Sequence, residues 1–178
     1  YAVNIGLFKN GAVVLAMLYY PALDVCYYTL GNGVFRAPDF AMHGLAKQHE
    51  VFFAAQPDNP KAVFLYYGIA DEVQDELIAA GYQIVRSPRK QLHMYANPVD
   101  ALLRGGVTAL VMGKIQMRDL MHGAMLTCTR GGHVTDWRGN DYLWPQKGGE
   151  LPRVAVSGWP LPDNLKGILA RAAAQYAT

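Results

Sequence analysis

Two apolar rhythms share this chain of 178 residues, and the change between them at Ala62 limits the architectures open to it. Ahead of that point, short apolar runs follow one another through tight reversals. Residues 1–8 read as a strand, Asn10-Gly11 as a hairpin turn, residues 12–20 as a second strand stopped by Pro21, and the stretch through Tyr27-Tyr28 as a third. Asn-Gly tolerates positive φ and suits a two-residue reversal, and Gly31-Asn32-Gly33 supplies another before Val34-Phe35-Arg36. This is the signature of an antiparallel meander. Residues 37–50 read as a loop with room for one helical turn, and residues 51–55 as a short strand.

Beyond Ala62 strands alternate with helices, which predicts a sheet with crossover helices. Strands are expected at residues 62–67, 83–86, 108–112, 133–136 and 153–157. Asp71 is placed to cap a helix with Gln74 as its box partner, Gly81 to close it, and Val73, Leu77 and Ala80 to form its buried stripe. Ser87-Pro88 starts another helix. Asn97-Pro98 interrupts and restarts it, with Asp100 as a cap, before Gly105-Gly106. A last helix from Pro162 carries Leu165, Ile168, Leu169, Ala172 and Tyr176 at helical spacing, a core stripe. The pairs Tyr19-Tyr20, Tyr27-Tyr28 and Tyr66-Tyr67 fall in strands, where one ring should pack and the other face outward. The fold class is therefore α/β: an antiparallel meander (residues 1–61) followed by alternating strands and helices (residues 62–178), joined in one compact unit.

Bulk properties narrow the partners. A formal charge of +2 gives no support for nucleic acid or an anionic membrane, and no apolar run is long enough to span one. Cys26 and Cys128 stand far apart and read as buried free thiols, so the expected location is the cytoplasm. The five histidines show no zinc spacing; His43 and His49 read as loop residues and His133 as an exposed strand opening. Nucleophile-elbow, phosphate-loop and dinucleotide-binding motifs are missing from the sequence.

The chemistry concentrates in residues 117–140. Asp119 opens a short helical stretch that stops at Gly131-Gly132; a strand from His133 to Asp136 follows, then a turn at Arg138-Gly139-Asn140. An acid in a first helical turn can either satisfy backbone N–H groups or, at a strand-to-helix junction, hold a hard cation such as magnesium. His122 shares a helix face with Asp119 and reads as packing. Ser87, Arg89 and Lys90, at a helix start, form either a capped and solvated first turn or an anion site. Lys114 and Arg118 suit an anionic substrate or are plain surface charges.

Asp119, Gly123, Gly131-Gly132 and the Val-Thr-Asp-x-x-Gly-Asn tail resemble the last metal-ligand motif of the inositol monophosphatase family, which usually reads Trp-Asp, Ala-Gly and Glu-Ala-Gly-Gly-x-Val-Thr-Asp-x-x-Gly. Here Arg118 replaces Trp, and Thr129-Arg130 replaces Glu-Ala. The opening meander is similar too: a Val-Asn-Ile strand, a strand ending Tyr-x-Pro, a Tyr-Tyr strand, then Gly-x-Gly-x-Phe. The resemblance implies a layered α/β sandwich of the sugar-phosphatase type and a magnesium-dependent phosphomonoesterase acting on a small phosphorylated sugar, inositol or nucleotide. It implies Mg2+ held by Asp119 and a homodimer. The family's Asp-Pro-x-Asp-Gly-Thr motif, which carries most metal ligands, would lie ahead of Tyr1, so the 178 residues alone are expected to be inactive and their meander edge to lack neighbours. His93-Met94-Tyr95 stands opposite the family's Gly-Ser-Ala phosphate motif, and Met112 where it has an acidic substrate contact. These departures motivate the alternative, a non-catalytic relative serving binding or assembly.

Overall fold

The computed structural model describes residues 3–9, 12–31, 33–51, 57–66, 68–85, 98–113, 115–116, 131–141, 150–151 and 153–176. Five strands form the meander: β1 (Val3–Lys9), β2 (Ala12–Tyr20), β3 (Val25–Leu30), β4 (Gly33–Pro38) and β5 (His49–Val51), antiparallel in sequence order. At the β3–β4 reversal Leu30 pairs with Gly33, and Gly31 takes φ 57°, the conformation a two-residue turn requires. A bulge lies between Leu7 and Phe8 of the β1–β2 pair. Asn10-Gly11 lies outside the described residues. The expected helical turn is α1 (Phe40–His43). It is held to the sheet by Asp24, whose Oδ1 accepts from the Ala41 N–H at 2.8 Å and from Tyr19 Oη at 3.0 Å.

The second sheet runs β10-β12-β8-β6-β7: β10 (His133–Asp136), β12 (Val154–Ser157), β8 (Ala109–Met112), β6 (Ala62–Leu65) and β7 (Gln83–Val85). β6 is parallel to both β7 and β8, whereas β12 is antiparallel to both β8 and β10. Each of β6, β8 and β12 is buried at all four positions, as strands covered on both faces must be. A small pair, β9 (Ile115–Gln116) with β11 (Glu150–Leu151), stands apart from both sheets.

Helices fill the layers. On one side of the second sheet, α2 (Asp71–Ala79) and α4 (Asp163–Gln175) pack Val73, Leu77, Leu165, Ile168, Leu169 and Ala172 against Val63, Leu65, Ala109 and Val111. On the other side, α3 (Pro98–Leu103) turns Leu102 toward Phe64, Leu110 and Val156. Val99 and Leu103, one helical turn apart on α3, join the Leu18, Tyr20, Tyr27 and Val34 cluster of the meander. The order is thus helices, mixed sheet, α3, meander: a layered α/β sandwich, as expected. Gly81 (φ 81°) and Gly105 (φ 80°) end α2 and α3 by the same device. The Tyr82 and Gly81 N–H groups donate back to Leu77 O and Ile78 O, and those of Gly106 and Gly105 to Ala101 O and Leu102 O.

Several expectations need correction. Tyr27 and Tyr28 are both buried, because α3 covers one face of β3 while Phe35 stacks on Tyr28 at 5.5 Å on the other. His49 is in strand β5, paired with Arg36, so the fifth strand starts earlier than residue 51. Ala70, not Asp71, is the N-cap of α2. Asp71 is already helical, and Gln74 Nε2 donates both to its Oδ1 at 3.2 Å and to Ile69 O at 2.9 Å. Asp100 lies inside α3, which starts at Pro98, so it is not the cap either. Tyr176 follows the end of α4 and is exposed, its ring lying 4.0 Å from the Arg153 guanidinium. Cys26 is buried as expected, and burial pushes its thiol up to about 11, so it is no nucleophile near neutrality. Cys128 lies outside the described residues. Among the described residues no helix is long and apolar enough to cross a membrane.

Candidate active site

One edge of the mixed sheet gathers the ends of four strands. The pairings Phe64 with Val85, Leu65 with Val111, Met112 with Val154 and Val154 with Asp136 put the carboxyl ends of β7, β6, β8 and β10 side by side. Open α/β sheets bind ligands outside such carboxyl ends, where neighbouring connections leave a crevice. The Tyr66 N–H donates to Val111 O at 2.9 Å, carrying the β6–β8 pairing one residue past the strand. The backbones then touch: a Cβ built on Gly113 would lie 2.0 Å from Gly68 O and 2.4 Å from Gly68 C. Only glycine fits at 113, and the connections leaving β6 and β8 are clamped together at their roots. A lone glycine just past an apolar strand was the signal for this, and it passed unread in the sequence.

The residues singled out by sequence follow these strands. Ser87, Arg89 and Lys90 come two, four and five positions after Val85, the last residue of β7. Lys114, Arg118 and Asp119 come two, six and seven after Met112, the last residue of β8. All six, with His122 and His93, lie outside the described residues. β7 and β8 flank β6, so their ends stand two strand spacings apart, roughly 10 Å.

Met112 itself is buried, 2% exposed, among Phe64, Leu102 and Leu110. Its side chain is part of the core cluster under this edge. Asp71 and Glu72 are exposed in the first turn of α2, which starts from the same edge after β6. Their charges complement the positive end of that helix and oppose an anion there. Among the described residues no three His, Cys, Asp or Glu side chains are grouped as metal ligands.

Asp136, at the end of β10, belongs to the turn. Its Oδ1 accepts from the Arg138 and Asn140 N–H groups at 2.8 and 2.9 Å, and its Oδ2 from Asn140 Nδ2 at 3.0 Å. Burial raises the carboxyl, but the Asn140 side chain, the two N–H groups and the Arg138 charge outweigh it and hold the group below the ordinary aspartate value. A depressed carboxylate stabilises the fold fully above its unfolded pKa, about 4, and loses that contribution as pH falls through the folded value. Asp136→Ala is expected to cost roughly 1 kcal/mol at neutral pH, discounted for partial exposure. The gap to wild type, read from urea midpoints, should close below about pH 4. A gap unchanged at acid pH would mean that the carboxylate is not what holds the turn.

Comparison with known proteins bears on the architecture. No family model matches the chain, and no curated protein matches it in sequence. Solved structures do. An inositol monophosphatase (IMPase) of Thermotoga maritima shares 16% identity at a TM-score of 0.70, over 99% of this chain and 63% of its own. The staphylococcal IMPase-II, solved with inositol monophosphate bound, shares 14% at 0.72, over 99% and 66%. An IMPase/NADP phosphatase complexed with Mg2+ and phosphate shares 13% at 0.69, over 94% and 58%. The chain thus spans less than two-thirds of the length of these structures. Its neighbours are inositol monophosphatase family members, and at such identities what they establish is architecture: this chain has the inositol monophosphatase fold, carried by a sequence that has diverged from theirs.

Proposed function

We propose that the whole protein is a magnesium-dependent phosphomonoesterase acting on a small phosphorylated sugar, inositol or nucleotide, and that these 178 residues contribute one wall of its site. One observation carries the reading. The strands preceding the two sequence-selected clusters, β7 and β8, end on the same edge on either side of β6. The chain segments that carry Ser87, Arg89 and Lys90 and that carry Lys114, Arg118 and Asp119 therefore leave the same end of the sheet. Neighbours of this fold hold inositol monophosphate, 2'-AMP, and Mg2+ with phosphate.

Within this reading Asp119 is a cation ligand, and Ser87, Arg89, Lys90, Lys114 and Arg118 are the polar and positive groups available to phosphate oxygens. Bound magnesium would supply Lewis acidity and a lowered pKa for an attacking water. Among the described residues no three-ligand set is grouped; within this reading the remaining ligands come from the motif that the family resemblance puts ahead of Tyr1, and the 178 residues alone would be inactive. The Gly68–Gly113 contact fixes the roots of the connections after β6 and β8, limiting the spread of groups that must meet one phosphate. A cytoplasmic homodimer is part of the same reading.

The test is phosphate release by the full-length protein in magnesium, comparing wild type with Asp119→Asn. A fall on the order of 100-fold is expected from losing one ligand's negative charge. Equal rates would remove Asp119 from the mechanism. The buried Met112, where family members carry an acidic substrate contact, favours a second reading, a non-catalytic relative. Full-length protein that binds a phosphorylated sugar yet releases no phosphate would establish that one instead.

A further inference from the structure

On the side of the meander that faces α3, one cross-strand row carries polar groups beside an apolar cluster. The register sets Tyr27 of β3 opposite Arg36 of β4, and Arg36 opposite His49 of β5. Val34, two residues from Arg36 and so on the same face, packs with Val99 and Leu103 of α3. Tyr27 is 1% exposed and lies edge-on to Tyr20, with ring centroids 6.5 Å apart. Its Oη accepts from Arg36 Nε at 3.2 Å. Arg36 is half-buried, and His49, on the edge strand, is exposed.

Arg36 differs from the cations elsewhere in the fold. Lys47, Lys166 and Arg171 each meet a carboxylate, of Asp39, Asp163 and Glu76 respectively. Lys61 donates to Ala80 O at the end of α2. Among the described residues the Arg36 side chain has only the neutral phenol oxygen as a hydrogen-bond partner, and no carboxylate pairs with it or with His49. Glu50 adjoins His49 in sequence but stands on the other face, opposite Phe35. A half-buried cation without a counter-charge is costly, and a guanidinium whose Nε is engaged keeps two Nη groups for an oxyanion. An imidazole adds an N–H in either tautomer. Side chains directly opposite on antiparallel strands have Cβ atoms roughly 5 Å apart, so both reach one small ligand.

We propose that Arg36 and His49 hold a phosphoryl group at the β5 edge of the meander, with Tyr27 as the residue that positions the guanidinium. Arg36 supplies the positive charge and two donors, and His49 a third donor from the solvent side. Three donors suit the oxygens of a tetrahedral phosphoryl group better than the two of a carboxylate. The buried phenol fixes the guanidinium before the ligand arrives, which lowers the ordering cost of binding. No residue following β7 or β8 enters the site, so it goes beyond the phosphatase reading and stands or falls apart from it.

NMR of the full-length protein in EDTA tests it, following the His49 imidazole as inorganic phosphate is added at constant ionic strength. The His49 signal is the one lost in His49→Gln. A saturable shift with a midpoint on the order of 1 mM is expected. Arg36→Gln should raise that midpoint at least about tenfold, and Arg36→Lys, which keeps the charge but not the fork, about threefold. The lysine variant decides the matter if the glutamine variant does not fold. No saturable shift up to about 20 mM phosphate would overturn the proposal. So would an equal shift with chloride, or a midpoint unchanged in the Arg36 variants. Glucose 6-phosphate sorts the source of the phosphoryl group. A midpoint at or below that of phosphate assigns the site to phosphorylated metabolites, and one at least about tenfold higher assigns it to free phosphate.

Discussion

Replacing Gly113 by alanine is expected to destabilise the protein by about 3 kcal/mol, the upper end of the usual cost of overpacking. The new Cβ would lie 2.0 Å from a backbone oxygen and 3.0 Å from the Ile69 nitrogen. Backbone has no alternative rotamer, so relief requires the connection after β6 or after β8 to move. Both are rooted in the buried centre of the mixed sheet. Gly106→Ala is the control: its Cβ would sit 3.4 Å from Ala101 O, and it is not among the positive-φ glycines. A change under about 1 kcal/mol is expected there. Urea midpoints at an unchanged m-value decide the comparison. Similar losses in the two variants would show that the Gly68–Gly113 contact is not tight. If the site reading holds, Gly113→Ala should also raise KM for a phosphorylated substrate, because the same shift spreads the connections around the crevice.

Trp137→Ala should cost about 3–5 kcal/mol, a large share of the stability of an ordinary domain. Trp137 is among the largest fully buried side chains, set against the Leu161, Leu165 and Leu169 cluster with Tyr176 edge-on at 6.5 Å. Removing it opens a cavity between β10, β12 and α4. Trp137→Phe separates packing from polarity. Among the described residues the indole Nε1 has no hydrogen-bond partner, so phenylalanine loses no bond there and removes an unpaired buried donor. A loss well below that of alanine, roughly 1 kcal/mol, is expected. If the two substitutions cost the same, the indole N–H rather than the ring volume would be the stabilising part.

Much of the architecture was legible because it depends on neighbours in sequence. Gly81 and Gly105 end helices since each must take positive φ, a local requirement only glycine meets without strain. Leu165, Ile168, Leu169 and Ala172 share a face by helical period alone, and all four are buried. The errors share a cause as well. One ring of the Tyr27-Tyr28 pair is expected to face outward because alternation predicts one wet face, and only the packing of Phe35 and α1 gave the Tyr28 side a cover. Ala70 rather than Asp71 caps α2, and the chain just ahead of it touches Gly113, 45 residues away, a contact that no local pattern shows. Met112 could be aligned with a family's acidic position by counting, yet its side chain points into the core because β8 is sandwiched between two helical layers.

The order of strands and helices, the helix stops and the apolar faces were determined by this sequence alone, through turn chemistry and periodicity acting over a few residues. The tertiary structure alone decided that β7 and β8 end beside β6, that two glycines touch there, and that α3 packs between the two sheets. Such facts depend on which strands pair and which layers stack. Those choices are made by burial between distant segments, and no local pattern encodes them.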